Sequence, residues 1–387
     1  MLLANGFLTT DQIAGEYMFD LAVGYCPNCT MVQLVEQPDR EQMFNDSYAY
    51  FASTSAGMTA HFEEFAEDTM ARHLRSEDPF VVELGSNDGI MLQKFARAGI
   101  RHLGVEPSAN VAQVAMDKGI ATLVAFFDEG LARRIAAEHG QADAVLGGNV
   151  MCHIPYLHSV AAGVGTLLKP DGVLVFEDPY VGDIVEKTSY DQIYDEHVFY
   201  FSVSSVSAVF ERHGLEVVDV SHQDVHGGSM RYVIARKAAR RVSSAVTRQR
   251  ERESELGLDR LETYEALGRD IERSGDDLSA LLRELKGRGK RVVGYGATSK
   301  STTVTNYCGI TSDLVEFISD TTPIKQGKVS PGAHIPVRPY EEFVADYPDY
   351  ALLFAWNHAK EIMGKEQTFL ESGGKWIVFV PRVRVLD

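Results

Sequence analysis

The chain has 387 residues, enough for two or three domains that each bury a core of their own. Its 45% hydrophobic and 24% charged residues are those of an ordinary globular protein, and no apolar run approaches the roughly 20 residues that a membrane span requires. Lys and Arg number 37 against 55 Asp and Glu, a formal charge of −18, which repels nucleic acid and anionic membranes.

Several expectations follow from these bounds. Neither nucleic acid nor membrane is expected as a partner, and a phosphate-bearing ligand must find a local group of donors and cations. The opening MLLANGFLTTDQ lacks the basic start and long apolar core of a signal peptide, so a cytoplasmic location is expected. A monomer is the default. Four cysteines are too few for a disulfide framework in a chain of this length.

In chain order, the first chemical signal is Cys26-Pro-Asn-Cys29, the C-x-x-C spacing of half a structural zinc site. Two ordinary turn cysteines are the plainer reading. Tyr48 follows in NDSYAYFASTS.

From about residue 80, short apolar runs alternate with amphipathic stretches. FVVELGS, HLGVEPS, ATLVAFF, AVLGGNV and GVLVFED read as strands buried on both faces, and MLQKFARAG and VAQVAMDKG as helices ending on Gly. That alternation predicts a parallel, doubly wound α/β sheet. LEVVDVSHQDVHGG and MRYVIARK then predict an antiparallel pair about a Gly-rich turn.

The loop VVELGSNDG places Gly85 and Gly89 between a strand and a helix, where backbone can approach a ligand closely. Glu106 ends the next strand, where a carboxylate suits the two hydroxyls of an adenosine ribose. The loop is not G-x-G-x-x-G, and its acidic Glu83 and Asp88 would repel a pyrophosphate. They suit the cationic amino acid end of S-adenosylmethionine instead. Asn87, Pro107, Asn149 and the rings of Phe126 and Phe127, placed to stack on adenine, complete the candidate cofactor set. For the two rings, a simple core role is the alternative.

SYDQIYDEHVFYF groups Tyr190, Tyr194, Asp195, Glu196, His197 and Tyr200 after the fifth strand. His197 is the natural general base at neutral pH, with an adjacent carboxylate to orient it. A surface helix with satisfied polar groups is the alternative. His153, in NVMCHIP, is taken alone a structural hydrogen-bonder.

After Lys237 the composition turns rich in Arg and Glu. Leu261, Tyr264, Leu267, Ile271, Leu278, Leu282 and Leu285 mark one face of one or two helices, a connector with a solvated charged side. A second alternation follows, with RVVGYGA, LVEFISD, YALLFAW and WIVFVPR as strands of a smaller α/β domain. In GYGATSK, Gly296, Ser299 and Lys300 offer donors and a cation at a helix start, which makes a candidate phosphate site. Lys325, Lys328 and His334 are looser candidates. A nicotinamide cofactor is the competing reading, weakened by the missing third Gly of the fingerprint.

These motifs together resemble the sugar C-methyltransferases of bacterial deoxysugar and antibiotic pathways. The matching segments are LANGFL, CPNCTMVQL, SYAYFASTS, ELGSNDG, NVMCHIP, YDQIYDEHVFYFS, HGGSMR, GYGATSK, NYCGI and KQGKVSPGAHIPV. The resemblance implies an S-adenosylmethionine-dependent enzyme with a Rossmann-like methyltransferase domain and a second, smaller α/β domain. It assigns residues 1–50 to a partial zinc-binding module, 51–237 to the methyltransferase domain, 238–290 to a helical connector and 291–387 to a nucleotide-sugar-binding domain.

The implied reaction transfers a methyl group to a carbon beside the keto group of a dTDP-linked 4-keto-6-deoxysugar, C-3 first and C-5 as the alternative, through a base-generated enolate. His197 is implied as the base, Glu196 as its neighbour on the sugar, and Tyr48, His153 and Tyr194 as groups lining the reacting end. Tyr190, Tyr200, Gly296, Ser299, Lys300, Asn306 and Lys325 are implied to hold the substrate. Two other readings stand beside it, an O- or N-methyltransferase of a small molecule and a cofactor-binding protein without catalysis.

Two departures from the family pattern bear on these expectations. Asp195 stands where the family usually has His, which bears on the substrate and the carbon methylated. The second C-x-x-C, which the family supplies upstream of LANGFL, is missing, so Cys26 and Cys29 provide only half of a zinc site. A start upstream of Met1 is the favoured explanation over a lost site.

Overall fold

The computed structural model describes residues 3–45, 48, 50–54 and 56–387. In the SYAYFASTS motif, Ser47, Ala49 and Ser55 lie outside the described residues. The central sheet has seven strands: β1 (Phe80–Leu84), β2 (Arg101–Val105), β3 (Thr122–Leu123), β4 (Ala142–Gly148), β5 (Leu168–Pro179), β6 (Leu215–Gln223) and β7 (Ser229–Arg236). Their order is β3-β2-β1-β4-β5-β7-β6, parallel as far as β5. β7 runs antiparallel to β5 and β6, as the turn about HGG predicts. Strand order reverses at β1, and the crevice beyond its carboxyl end is where ligands of such sheets bind.

Every residue of β1 is buried, as expected of a strand covered on both faces. One correction concerns ATLVAFF, where only Thr122–Leu123 pairs. Phe126 and Phe127 therefore belong to the loop beyond the strand rather than to the strand itself.

The smaller domain has a six-stranded sheet of β8 (Val292–Tyr295), β9 (Ile318–Asp320), β10 (Val337–Pro339), β11 (Tyr350–Leu353), β12 (Lys375–Val378) and β13 (Arg384–Leu386), in the order β10-β9-β8-β11-β12-β13. β10 and β13, three residues each, were too short for an alternation pattern to announce.

Three features join the parts. The hairpin Val23–Tyr25/Val32–Leu34 takes Phe199–Tyr200, from within the SYDQIYDEHVFYF motif, as its third strand. Helix Leu261–Gly287 rests Tyr264 and Leu267 against the larger core and buries Leu278, Leu282 and Leu285 in the smaller one. Leu261 departs from the expected apolar face, being 51% exposed. Lastly, the N-terminal turn Leu3–Phe7 reaches both the same motif and helix Ser299–Tyr307, with Thr302 Oγ1 donating to the Ala4 carbonyl at 2.9 Å. No helix among the described residues is long and apolar enough to cross a membrane.

Candidate active site

A cleft opens beyond the carboxyl end of β1 and runs to the first turn of helix Ser299–Tyr307.

At one end lies the glycine loop. Gly85 has φ +59, and a Cβ there would sit 2.5 Å from Val150 Cγ2, so only glycine fits. Glu106 accepts from the N–H groups of Asn87 and Ser108, both at 2.9 Å, which fixes its carboxylate across the loop. Glu83 is buried, and its Oε2 has no partner. Burial, then the charges of Glu106 and Asp88, push its carboxyl well above the usual range. An orphaned acid in a cleft calls for a cation, and the sulfonium and ammonium of S-adenosylmethionine fit that demand.

Of the candidate cofactor residues, Glu83, Gly85, Asn87, Glu106, Pro107, Phe126, Phe127 and Asn149 line the cleft. Asp88 does not. Its Oδ2 is held by the Ser53 hydroxyl and by Lys118 at 3.4 Å, its Oδ1 is buried without a partner, and from behind the lining it braces the loop. Gly89 also lies outside the lining, packed toward Ile120 and Ala115. Phe126 carries the guanidinium of Arg40 at 4.3 Å, which also covers Tyr156 at 4.8 Å.

In the middle of the cleft, the loop after β5 gathers the acid–base groups. His197 Nδ1 donates to the Gln192 carbonyl at 2.9 Å, and its Nε2 accepts from the Tyr194 hydroxyl at 2.6 Å. The carbonyl fixes the tautomer, which puts the Nε2 lone pair on the Tyr194 hydroxyl. Burial, with His153 adding to it, holds the His197 pKa well below 6.5, so the imidazole stays neutral. His153 stacks on it with centroids 5.3 Å apart, and burial lowers its pKa to about 4.

Glu196 accepts from Asn5 Nδ2 at 2.7 Å and Tyr48 Oη at 3.4 Å. Burial raises its pKa against those bonds. Tyr48, His153, Tyr194, Glu196 and His197 all line the cleft. Asp195 turns the other way and accepts the Ala4 N–H at 2.8 Å. The departure from the family's His therefore sits behind the site, holding the N-terminal turn that carries Asn5.

At the far end, Ser299, Lys300 and Lys325 line the cleft. Lys300 Nζ lies 3.3 Å from the His226 carbonyl and 4.9 Å from the ring centre of Trp356, and burial lowers its pKa. Trp356 in turn donates to Asp191 of the catalytic loop at 2.6 Å.

Four expected substrate contacts are corrected. Tyr190 is buried against Tyr307 and Phe379, with its hydroxyl 3.4 Å from Cys308 Sγ. Tyr200 is buried edge-on to His197, at 6.4 Å between centroids. Gly296 shapes the turn at φ +90, and Asn306 bonds the Thr302 and Pro331 carbonyls. None of the four lines the cleft. Asn5, Arg40, Gln192, His226, Asn357 and His358 do line it and were not singled out from sequence. Asn5 in LANGFL, Gln192 in YDQIYDEHVFYFS and His226 in HGGSMR each lay inside a quoted motif; Arg40, Asn357 and His358 did not.

Metal ligation is limited by geometry. Cys26 and Cys29 cap the hairpin turn, where backbone N–H groups of Cys29 and Asn28 lower the Cys26 pKa while burial raises that of Cys29. Among the described residues no third Cys, His, Asp or Glu joins them, so these residues do not make up the four donors of a tetrahedral zinc site. The described trio within mutual reach is Cys152, His153 and His197. There both ring nitrogens of His197 are already bonded, to the Gln192 carbonyl and the Tyr194 hydroxyl.

Comparison with known proteins follows this geometry. Residues 58–220 match the family model of a methyltransferase domain, 224–381 that of a C-methyltransferase C-terminal domain, and 1–44 that of a "putative zinc binding domain". The C-methyltransferase NovU of Streptomyces niveus is 38% identical over 378 residues, covering 97% of this chain and 90% of NovU. Among solved structures, the CcbJ methyltransferase of Streptomyces caelestis matches at 13% identity and TM-score 0.40, over 51% of this chain and 98% of its own. Magnesium protoporphyrin IX methyltransferase of Synechocystis PCC 6803, with bound S-adenosylhomocysteine, matches at 14% and 0.37, over 47% and 84%.

Proposed function

The chain belongs to the S-adenosylmethionine-dependent C-methyltransferases, and from that premise we propose that its acceptor is a dTDP-linked 4-keto-6-deoxysugar, methylated at a carbon beside the keto group, C-3 first, in deoxysugar and antibiotic biosynthesis. The observation that carries this reading is the cleft itself. An orphaned carboxylate, a neutral imidazole and a lysine lie along one cavity in the order that donor, reacting carbon and diphosphate require.

When bound, S-adenosylmethionine supplies an electrophilic methyl group. Glu83 would meet its charge and Glu106 its ribose, while Gly85 lets the backbone close on it. His197 Nε2 takes the proton from the carbon flanking the keto group once the substrate draws the Tyr194 hydroxyl off it, since Nδ1 is committed to the Gln192 carbonyl. Tyr194, Tyr48 and His153 face the developing enolate oxygen as hydrogen-bonding groups. One well-aimed donor there contributes about 3–4 kcal/mol. Glu196, held by Asn5, orients the ring through its hydroxyls. Lys300, Lys325 and Ser299 take the diphosphate, which supplies the local cationic patch that a chain of net charge −18 needs. In this reading residues 51–237 carry the chemistry and 291–387 hold the nucleotide.

The test is to incubate the protein with S-adenosylmethionine and a panel of dTDP-linked keto-sugars. A gain of one methyl group by mass spectrometry, located by NMR on a carbon adjacent to the keto group, is the expected result. A methyl group on oxygen or nitrogen, or none on any member of the panel, overturns the reading.

A further inference from the structure

The turn joining β6 to β7 has a backbone that its sequence would not choose freely. His226, Gly227 and Gly228 have φ of +54, +92 and +128 in succession. Glycine takes such angles without cost, whereas a β-carbon-bearing residue in the left-handed region is held there by its surroundings. Those surroundings are specific. A Cβ on Gly227 would lie 2.6 Å from the Trp356 ring and 3.1 Å from Gln192 Nε2, so the turn is wedged between the smaller domain and the catalytic loop.

The consequence is that the His226 imidazole faces the cleft. Its Nε2 is shielded from solvent and has no partner. The carbonyl of the same residue accepts from Lys300 at 3.3 Å, and Gln192, beside the turn, holds His197. His226 therefore stands between the cation at one end of the acceptor site and the base at the other. Burial, then the charge of Lys300, lowers its pKa to about 3, against a raising influence of Glu177. The imidazole is neutral and makes a poor partner for phosphate.

We propose that His226 is a substrate contact that hydrogen-bonds a neutral oxygen of the sugar ring, a hydroxyl or the ring oxygen, between the diphosphate and the reacting carbon. This rests on the nucleotide-sugar reading of the same cleft. It adds a means of telling a nucleotide sugar from a bare nucleotide, which the cationic end alone cannot do. The strained turn is kept because it aims this one side chain.

The test uses His226→Gly, which relieves the left-handed backbone, and His226→Asn, which tolerates it. Binding of dTDP, of the dTDP-linked keto-sugar and of S-adenosylmethionine is measured by calorimetry for both variants and the wild type. The expected result is a loss of tenfold or more in sugar-nucleotide affinity for His226→Gly and a smaller loss for His226→Asn. Affinities for dTDP and S-adenosylmethionine should stay within twofold, with a melting temperature no lower for His226→Gly. Equal losses for dTDP and its sugar conjugate, or no loss for either, overturn the assignment of His226 alone. Wild-type protein that binds neither nucleotide ligand overturns the nucleotide-sugar reading and this inference with it.

Discussion

The acid–base groups show how a buried polar cluster is tuned by its neighbours. His197 is kept neutral by burial and fixed in one tautomer by the Gln192 carbonyl. The sign follows directly: a depressed imidazole pKa leaves the base unprotonated to lower pH. The acid limb of kcat/KM against pH should accordingly fall well below 6.5, and a limb at 6.5 or above would show that His197 does not set it. Asn5 offers a second check. Its 2.7 Å bond to Glu196 is to a buried carboxyl group, and a hydrogen bond to such a group when ionised contributes about 1.5–3 kcal/mol. Asn5→Ala is expected to lower kcat/KM by roughly tenfold to a hundredfold at unchanged S-adenosylmethionine affinity.

His197 and Glu196, the proposed base and its neighbour, stood out in the sequence because they are adjacent and titratable. Asn5 was not, since it meets Glu196 across 191 positions of chain. Asp88 misled for the opposite reason. Its spacing was that of a ligand, but it stands off the cleft lining, with Ser53 and Lys118 on one of its oxygens.

Among the elements, the parallel sheet and its antiparallel return were readable from apolar runs and the HGG turn. β3 was readable but overextended, since only two residues of ATLVAFF pair, and three-residue β10 and β13 gave no pattern. Glu253 is another case that composition hides. In a stretch dense with charge it reads as solvated, yet it is buried and accepts the N–H groups of Val203 and Ser204 at 2.6 and 3.0 Å, satisfying the start of helix Val203–Phe210. Glu253→Ala leaves those donors unpaired in a buried place, so a loss of about 1–3 kcal/mol is expected in denaturant unfolding. The glycine loop carries the complementary prediction. Gly85→Ala meets both the positive φ and Val150, and should abolish S-adenosylmethionine binding by calorimetry even where the protein still folds.

At the scale of the molecule, one cleft depends on three segments far apart in the chain. Trp356 bonds Asp191, the N-terminal turn bonds Asp195 and Glu196, and helix Leu261–Gly287 lies on both cores. No stretch of sequence announces that convergence; only the separate motifs are visible. It does predict a division of effects. Lys300→Ala should raise KM for the sugar nucleotide tenfold or more and leave S-adenosylmethionine affinity unchanged, whereas a parallel loss of both would mean that the two ends are not separate sites. The central claim is that His197 removes a proton from carbon, and it is read most directly by solvent exchange. In D₂O, with the dTDP-linked keto-sugar and no methyl donor, the wild-type protein should place deuterium at the carbon beside the keto group, while His197→Asn should slow that exchange about 10²–10⁴-fold. No exchange in the wild type, or equal exchange in the variant, would contradict the account.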